Sequence, residues 1–359
     1  MATSLFLFLT VRLLQYTTSI YQSHLTLEAT FEPFHTGMAC LPFICSKKVP
    51  SDIVEGNQIK LYTYKELKKA SNNFSLANKI NQGGFGSVYK GVLKDGKLAA
   101  IKVLAIQFRL EPKKFLTEIS VISELRHENL VELYGCCVEG DHRILVYSYL
   151  ENNTLEQTLL GGGDSYIDFD WKTRCRICIG VACGLAFLHE QVQTNNVHRE
   201  IHASNIVLDK DLTPKISDFG LAKLIRPGIT CLLTLGPMAP EDVFMGPLTC
   251  KSDVYRFGIL LVEIISGRSN RRILEQTWQL YKRKELKKIV DKSIDKGLCA
   301  EEACKYLKIA LLCTQSTPKL RPTMSSVLKM LTREMDVDEI YADEKPTHKD
   351  HRPHTSVIQ

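Results

Sequence analysis

The stretch Asn81-Gln82-Gly83-Gly84-Phe85-Gly86-Ser87-Val88-Tyr89-Lys90-Gly91-Val92-Leu93-Lys94-Asp95-Gly96-Lys97-Leu98-Ala99-Ala100-Ile101-Lys102 holds two β-rich runs, which begin at Ser87 and Lys97. Lys94-Asp95-Gly96 joins them, and Asp-Gly between two such runs is the strongest short hairpin signal. The glycines that precede the hairpin let backbone amides approach phosphate oxygens with no Cβ in the way. Glycines alone mark many turns. The loop gains weight from Ala100-Ile101-Lys102 on the next strand, because a lysine inside an apolar strand is costly unless an anion meets it. Glu118, on the following helical run, is placed to pair with Lys102 and hold it against phosphates.

Upstream of this stretch, Leu61 to Phe74 reads as a lead-in helix ended by Asn72-Asn73, and residues 1–60 read as a tail without periodicity. Downstream, Lys113 to Glu124 has helical spacing, with Phe115, Ile119 and Ile122 on one face. Strand-like runs follow at Leu130–Val138 and Ile144–Tyr149, separated by Glu139-Gly140-Asp141. Helices dominate the rest, at 171–189, 251–266, 301–313 and 323–332. A β-rich part followed by a helical part is an α+β pattern. The boundaries expected are a tail (1–60), a lead-in helix (61–79), a β-rich lobe (80–150), a helical lobe (151–332) and a polar tail (333–359). His348, His351 and His354 belong to that last tail, which reads as solvated.

Composition narrows the function classes. With 44% hydrophobic and 24% charged residues the chain has the balance of a soluble globular protein. A net charge of +6 with no basic stripe interleaved by aromatics argues against nucleic acid as a partner. The most basic run, Tyr281 to Lys288, reads as a solvated helix face. Twelve cysteines scattered through apolar stretches are read as small buried hydrophobes in a reducing compartment. Cys175 and Cys178 lack a second ligand pair at zinc spacing and read as core. At the N-terminus, Leu5-Phe6-Leu7-Phe8-Leu9 resembles a signal-peptide core but is followed by Arg12 and no small-residue cleavage site. If translation begins at Met38, Cys40 and Cys45 stand beside Lys47-Lys48, a set suited to acylation and surface attachment. An unmodified tail is the alternative.

A further series lies downstream: His198-Arg199-Glu200-Ile201-His202-Ala203-Ser204-Asn205, then Asp218-Phe219-Gly220, then Ala239-Pro240-Glu241. With the glycine loop and Lys102, the series resembles the protein-kinase signature set over about residues 74–332. Asp218-Phe219-Gly220-Leu221-Ala222-Lys223 and Lys251-Ser252-Asp253-Val254-Tyr255 are similar to plant receptor-like cytoplasmic kinases of the receptor-like kinase/Pelle type, which act on serine and threonine. The resemblance implies a two-lobed kinase fold, ATP and Mg²⁺ as cofactors, and a cytoplasmic location, with membrane attachment only if the tail is acylated. It implies that Gly83 and Gly86 cover the phosphates, that Lys102 held by Glu118 contacts them, and that Asn205 and Asp218 ligate Mg²⁺. Val88, Ala100 and Val207 would enclose adenine, and Tyr147 to Leu150, with Tyr149, would form the hinge. Glu241 would pair with Arg321, and Asp253 would orient the catalytic loop.

The pattern also breaks. Glu200 stands where the family has its catalytic aspartate, and the extra methylene displaces the carboxylate that must meet the substrate hydroxyl. His202 stands where serine/threonine kinases usually carry lysine, and a neutral imidazole is no fixed cation for transferring phosphate. Between Asp218 and Glu241 only Thr230 and Thr234 carry hydroxyls, while Leu233 and Pro237 replace a glycine and a tyrosine in the wall that receives peptides. Arg199 is left with few phosphorylated partners. Asn81 takes the place of the loop's first glycine, a mild change because asparagine tolerates the left-handed region. Three readings stay open: a serine/threonine kinase of strongly impaired activity acting on protein substrates, a pseudokinase scaffold that binds ATP and docks partner kinases or receptors, and a truncated or mis-spliced product.

Overall fold

The computed structural model describes residues 59–105, 110–161, 167–192, 198, 200–219, 221, 238–243, 249–269, 272–294 and 298–343. The expectations placed on Cys40, Cys45, Lys47, Lys48, Arg199, Thr230, Leu233, Thr234, Pro237, His348, His351 and His354 lie outside these residues.

The described chain begins with β1 (Lys60–Leu61) and helix α1 (Tyr64–Ala70), capped by Thr63, whose side chain accepts from Glu66 N while Glu66 reaches back to Thr63 N. This reciprocal cap satisfies two otherwise orphaned donors. Asn72 and Asn73 then take φ of 52° and 60°, which ends the helix where the Asn-Asn pair stands. Next come β2 (Lys79–Gly83), β3 (Gly86–Val92), β4 (Leu98–Leu104), helix α2 (Pro112–Ser123), β5 (Leu133–Glu139) and β6 (His142–Ser148). They form one sheet in the order β1-β5-β6-β4-β3-β2. Every pair is antiparallel except β1 with β5. The two-residue β1 was not legible as a strand. It is accommodated by Gly135, where a Cβ would stand 2.0 Å from the Lys60 carbonyl oxygen.

Strand alternation divides β4 between two faces. Ala99 and Ile101 pack with Tyr62, Leu67, Ile144 and Val146 under α1. Lys102 therefore points the other way, toward the side where α2 lays down Phe115, Leu116 and Ile119.

The helical lobe contains α3 (Trp171–Ala186), the short pair β7 (Ile206–Leu208) and β8 (Pro214–Ile216), α4 (Pro240–Val243), α5 (Cys250–Ser266), α6 (Ile273–Lys282), α7 (Leu298–Cys313), α8 (Met324–Leu331) and α9 (Val337–Asp343). Helix α5 is buried along nearly its whole length, polar positions included. Gly267 ends it in the left-handed conformation at φ 63°. Beyond that end, Arg174 of α3 donates to the Ile264 carbonyl at 2.7 Å and to Asp291 at 2.7 Å. Cys178 of α3 is buried and Cys175 partly so, and both are free thiols. Among the described residues no group of His, Cys, Asp and Glu is arranged to hold a metal by itself. No helix among them is long and apolar enough to cross a membrane.

Two local expectations are corrected. Tyr281 to Lys288 is not one helix face: α6 stops at Lys282, Lys284 takes φ 59°, and Leu286 and Ile289 turn inward in a separate short turn. The polar C-terminal tail carries α9, because Val337 is buried and Lys308 pairs with Asp338. Sparse apolar residues in both stretches concealed the one or two that anchor them.

The Arg321 guanidinium is fully buried and donates to both Glu241 oxygens, at 2.6 and 2.8 Å. Burial alone would raise the Glu241 pKa, but the hydrogen bonds and charge of Arg321, with help from Ser252, hold it below the ordinary value. Removing one partner of such a pair leaves an uncompensated charge, so Arg321→Ala should cost about 3–5 kcal/mol in denaturant unfolding. Because the folded pKa is depressed, the pair's contribution should be full above the ordinary carboxylate range. It should fade as pH falls through the folded value, and Arg321→Ala should flatten that acid limb.

Candidate active site

A cavity of about 430 Å³ opens between the sheet and the helical lobe. Its roof is the glycine loop, residues 80–86, with Val88 and Ala100 behind it. Gly86 has φ 139°, and a Cβ there would stand 2.0 Å from the Val103 carbonyl oxygen, so the loop closes onto β4 only with glycine. Asn81, in place of a glycine, uses its side-chain oxygen to accept from Gln82 N at 2.7 Å. The back edge is Tyr147 to Leu150, and Val207 comes from below. Gly83, Gly86, Val88, Ala100, Lys102, Tyr147, Tyr149, Glu200, His202, Asn205, Val207 and Asp218 thus line one cavity.

Glu118 does not. Lys102, 5% exposed, forms its ion pair with Asp218, and among the described residues no Lys102–Glu118 pair is made. The expectation for Glu118 is corrected on physical grounds. A buried ammonium needs one close carboxylate, and Asp218 supplies it from the cavity floor while Glu118 stays on α2, half-buried. Lys102 Nζ also lies 5.3 Å from the centroid of the Phe85 ring, a cation–π distance. Asp218 holds φ 62°, a left-handed conformation that aspartate tolerates better than most residues.

The floor is set from α5. Asp253 is fully buried and its Oδ2 accepts from His198 N at 2.7 Å and from His189 Nε2 at 3.0 Å. Burial alone would raise its pKa; the hydrogen bonds from His189 and from His198 N bring it below the ordinary value. His198 Nε2 donates to the Ser217 carbonyl at 2.8 Å, and its Nδ1 accepts from Glu200 N at 3.2 Å. Both ring nitrogens are thereby assigned, and the ring is neutral, its pKa lowered by burial. One imidazole ties the segment before Asp218 to Glu200.

Glu200 is 5% exposed. Its Oε2 lies 3.2 Å from His202 Nε2, and its backbone carbonyl accepts from Asn205 Nδ2 at 2.9 Å. With Nδ2 so engaged, the Asn205 side-chain oxygen is left for a cation. That oxygen and the Asp218 carboxylate are hard donors of the kind Mg²⁺ takes, in the small number it accepts when phosphates and waters complete its shell. The residues fit the ion.

The cavity has further walls that the sequence did not disclose: Glu156, Gln157, Glu263 and Ser269. Burial raises the Glu263 pKa, and Ser269 Oγ donates to it at 2.6 Å. Glu263 lies in the apolar run of α5, where helical periodicity marks it only as core.

This fold, with a glycine loop over a lysine–aspartate pair and an imidazole-tied loop beneath, defines a phosphoryl-transfer enzyme architecture. The chain belongs to the protein kinase family: residues 74–331 match the family model for protein tyrosine and serine/threonine kinases. It is 55% identical over 321 residues to Cold-responsive protein kinase 1 of Arabidopsis thaliana, covering 84% of this chain and 82% of that one. A probable LRR receptor-like serine/threonine-protein kinase of the same plant is 46% identical over 301 residues, and the match spans 80% of this chain but 30% of that protein. Among solved structures, the pseudokinase domain of BIR2, an immune regulator of the RLK/Pelle family, is 33% identical with a TM-score of 0.67. That match covers 79% of this chain and 91% of the other. Its relatives are plant receptor-like kinases.

Asp253 carries the floor, so Asp253→Ala should leave His198 N and His189 without their acceptor. The expected cost is about 3–5 kcal/mol, read as a thermal midpoint lower by at least ~6 °C.

Proposed function

We propose that the chain binds Mg²⁺-ATP in this cavity and transfers phosphoryl groups to protein serine or threonine hydroxyls at a strongly reduced rate. The observation that carries this reading is the contrast within one cavity. Lys102, Asn205, Asp218 and the glycine loop converge on the space, whereas the Glu200 carboxylate is turned onto His202. Lys102 supplies the cation for phosphate oxygens, and Val88, Ala100 and Val207 supply apolar faces for a base. Asn205 and Asp218 would hold Mg²⁺, which when bound neutralises charge on the phosphates. Glu200 would orient the acceptor hydroxyl, with its carboxylate displaced by the extra methylene. A misplacement near 1 Å costs ~10²-fold. A partner kinase or receptor fits the second reading, a scaffold that binds ATP and docks other receptor-like kinases. What favours it is the likeness to a pseudokinase domain. Acylation at Cys40 and Cys45 stays a proposal for attachment at the membrane surface.

Ligand that binds only the native state stabilises it by mass action. Saturating Mg²⁺-ATP should raise the thermal midpoint, and Lys102→Met should abolish most of that rise. No rise in the intact protein at millimolar nucleotide defeats the reading.

Turnover is the second measurement. Glu200→Asp with His202→Lys should raise phosphorylation of a generic protein substrate and ATP hydrolysis by at least ~10²-fold, with nucleotide affinity nearly unchanged. A rate for the unaltered protein already in the ordinary kinase range of ~1–100 s⁻¹ would exclude impairment.

A further inference from the structure

Ser204 stands in an arrangement that the kinase reading does not use. His202 is extended at φ −159° and ψ 166°, and the tight turn Ala203–Asn205 that follows folds Ser204 back over the His202 ring. Ser204 Oγ lies 2.6 Å from His202 Nδ1, and His202 Nε2 lies 3.2 Å from Glu200 Oε2. A carboxylate on Nε2 fixes the ring proton there, because a carboxylate can only accept. In the neutral ring Nδ1 then carries the lone pair and faces the serine hydroxyl. In this tautomer Asn205 Nδ2, 3.2 Å from His202 Nε2, is in contact without a hydrogen bond, and it donates instead to the Glu200 carbonyl. Acid, imidazole and hydroxyl form a line in which the base is oriented by a third group, the relation that activates nucleophilic serines. The side chains of His202 and Glu200 are 13% and 6% exposed, so bulk water competes little for the relay. All three residues line the cavity that holds Lys102, Asn205 and Asp218.

We propose that Ser204 is a phosphorylation site within the chain, its hydroxyl activated by His202 and attacking the terminal phosphoryl group of a nucleoside triphosphate bound in the same cavity. The inference rests on the nucleotide-binding reading given above. As the Ser204 Oγ–Pγ bond forms, the bond from Pγ to the β-phosphate oxygen breaks. The hydroxyl proton passes to His202 Nδ1, whose positive charge faces Glu200. The electron pair of the broken bond leaves on the nucleoside diphosphate, and no oxidant or reductant is involved. The changes that impair transfer to other proteins thus furnish a base for an acceptor inside the loop. Glu200 acts here as a positioning residue, through His202.

The full-length protein is incubated with Mg²⁺-ATP, Ser204 occupancy is followed by mass spectrometry, and nucleotide binding is read in the same sample by thermal shift. Phosphate should appear on Ser204 at a fractional rate that does not change on tenfold dilution. His202→Ala should slow it ~10²-fold or more, the usual contribution of a general base. His202→Lys should also abolish it while raising transfer to a generic substrate, which separates this step from the family's own. Nitrogen-15 NMR of the histidine side chains in the unaltered protein should show His202 protonated at Nε2, a readout that a merely structural serine–histidine contact does not require. A thermal shift with no phosphate on Ser204 overturns the inference and leaves nucleotide binding standing. The absence of both overturns the two together. A fractional rate proportional to protein concentration, an unchanged rate in His202→Ala, or a proton on Nδ1 in place of Nε2 each overturns it as well.

Discussion

A carboxylate with no exposure to solvent, Asp253, anchors the chemistry of this molecule. Charge at such depth persists only when hydrogen-bonded, and its partners include a histidine ring and a backbone amide of the loop above it. From His198 the constraint passes upward: one ring nitrogen takes the Ser217 carbonyl, the other receives Glu200 N. The segments bearing Glu200 and Asp218 are therefore held at a fixed separation by a single neutral imidazole. Helix α5 can carry the aspartate because Leu260, Leu261, Ile264 and Ile265 bury it in the lobe's core. Asp218 is held left-handed beside the lysine it meets.

That arrangement separates binding from chemistry. Lys102, Asn205 and Asp218 present a cation and two oxygen donors to one space, which suits a polyphosphate and its metal ion. Glu200 and His202 face each other, so the groups expected to meet a substrate hydroxyl and a transferring phosphate are engaged together. A displaced base or an absent fixed cation would act on the transition state more than on ground-state binding. In the same geometry, Ser204 gains a base that a lysine at position 202 would not supply.

Much of this was readable from residue order. The hairpin at Asp95-Gly96, the face Phe115-Ile119-Ile122, the Asn72-Asn73 helix end and the Glu241–Arg321 pair follow from local signals or from motif positions, and the structure contains each. Other features rest on one or two residues that look ordinary in sequence. Strand β1 is two residues long and depends on Gly135, and α9 is anchored by Val337 and by the pairing of Lys308 with Asp338. The basic run after Tyr281 bends at Lys284, where no glycine announces a left-handed residue.

The sequence by itself determined the two-part α+β architecture, the family, and which residue types stand at the catalytic positions. The architecture follows from periodicity, and the family and its positions from the resemblance of a series of motifs in order along the chain. Tertiary structure alone decided which carboxylate meets Lys102: the sequence pointed to Glu118, and the packing of the cavity floor supplies Asp218. It also decided that Glu263 and Ser269 wall the cavity and that Ser204 turns back onto His202. Such choices turn on a few ångströms between elements distant in sequence, or on one tight turn, and no residue pattern encodes distances of that size.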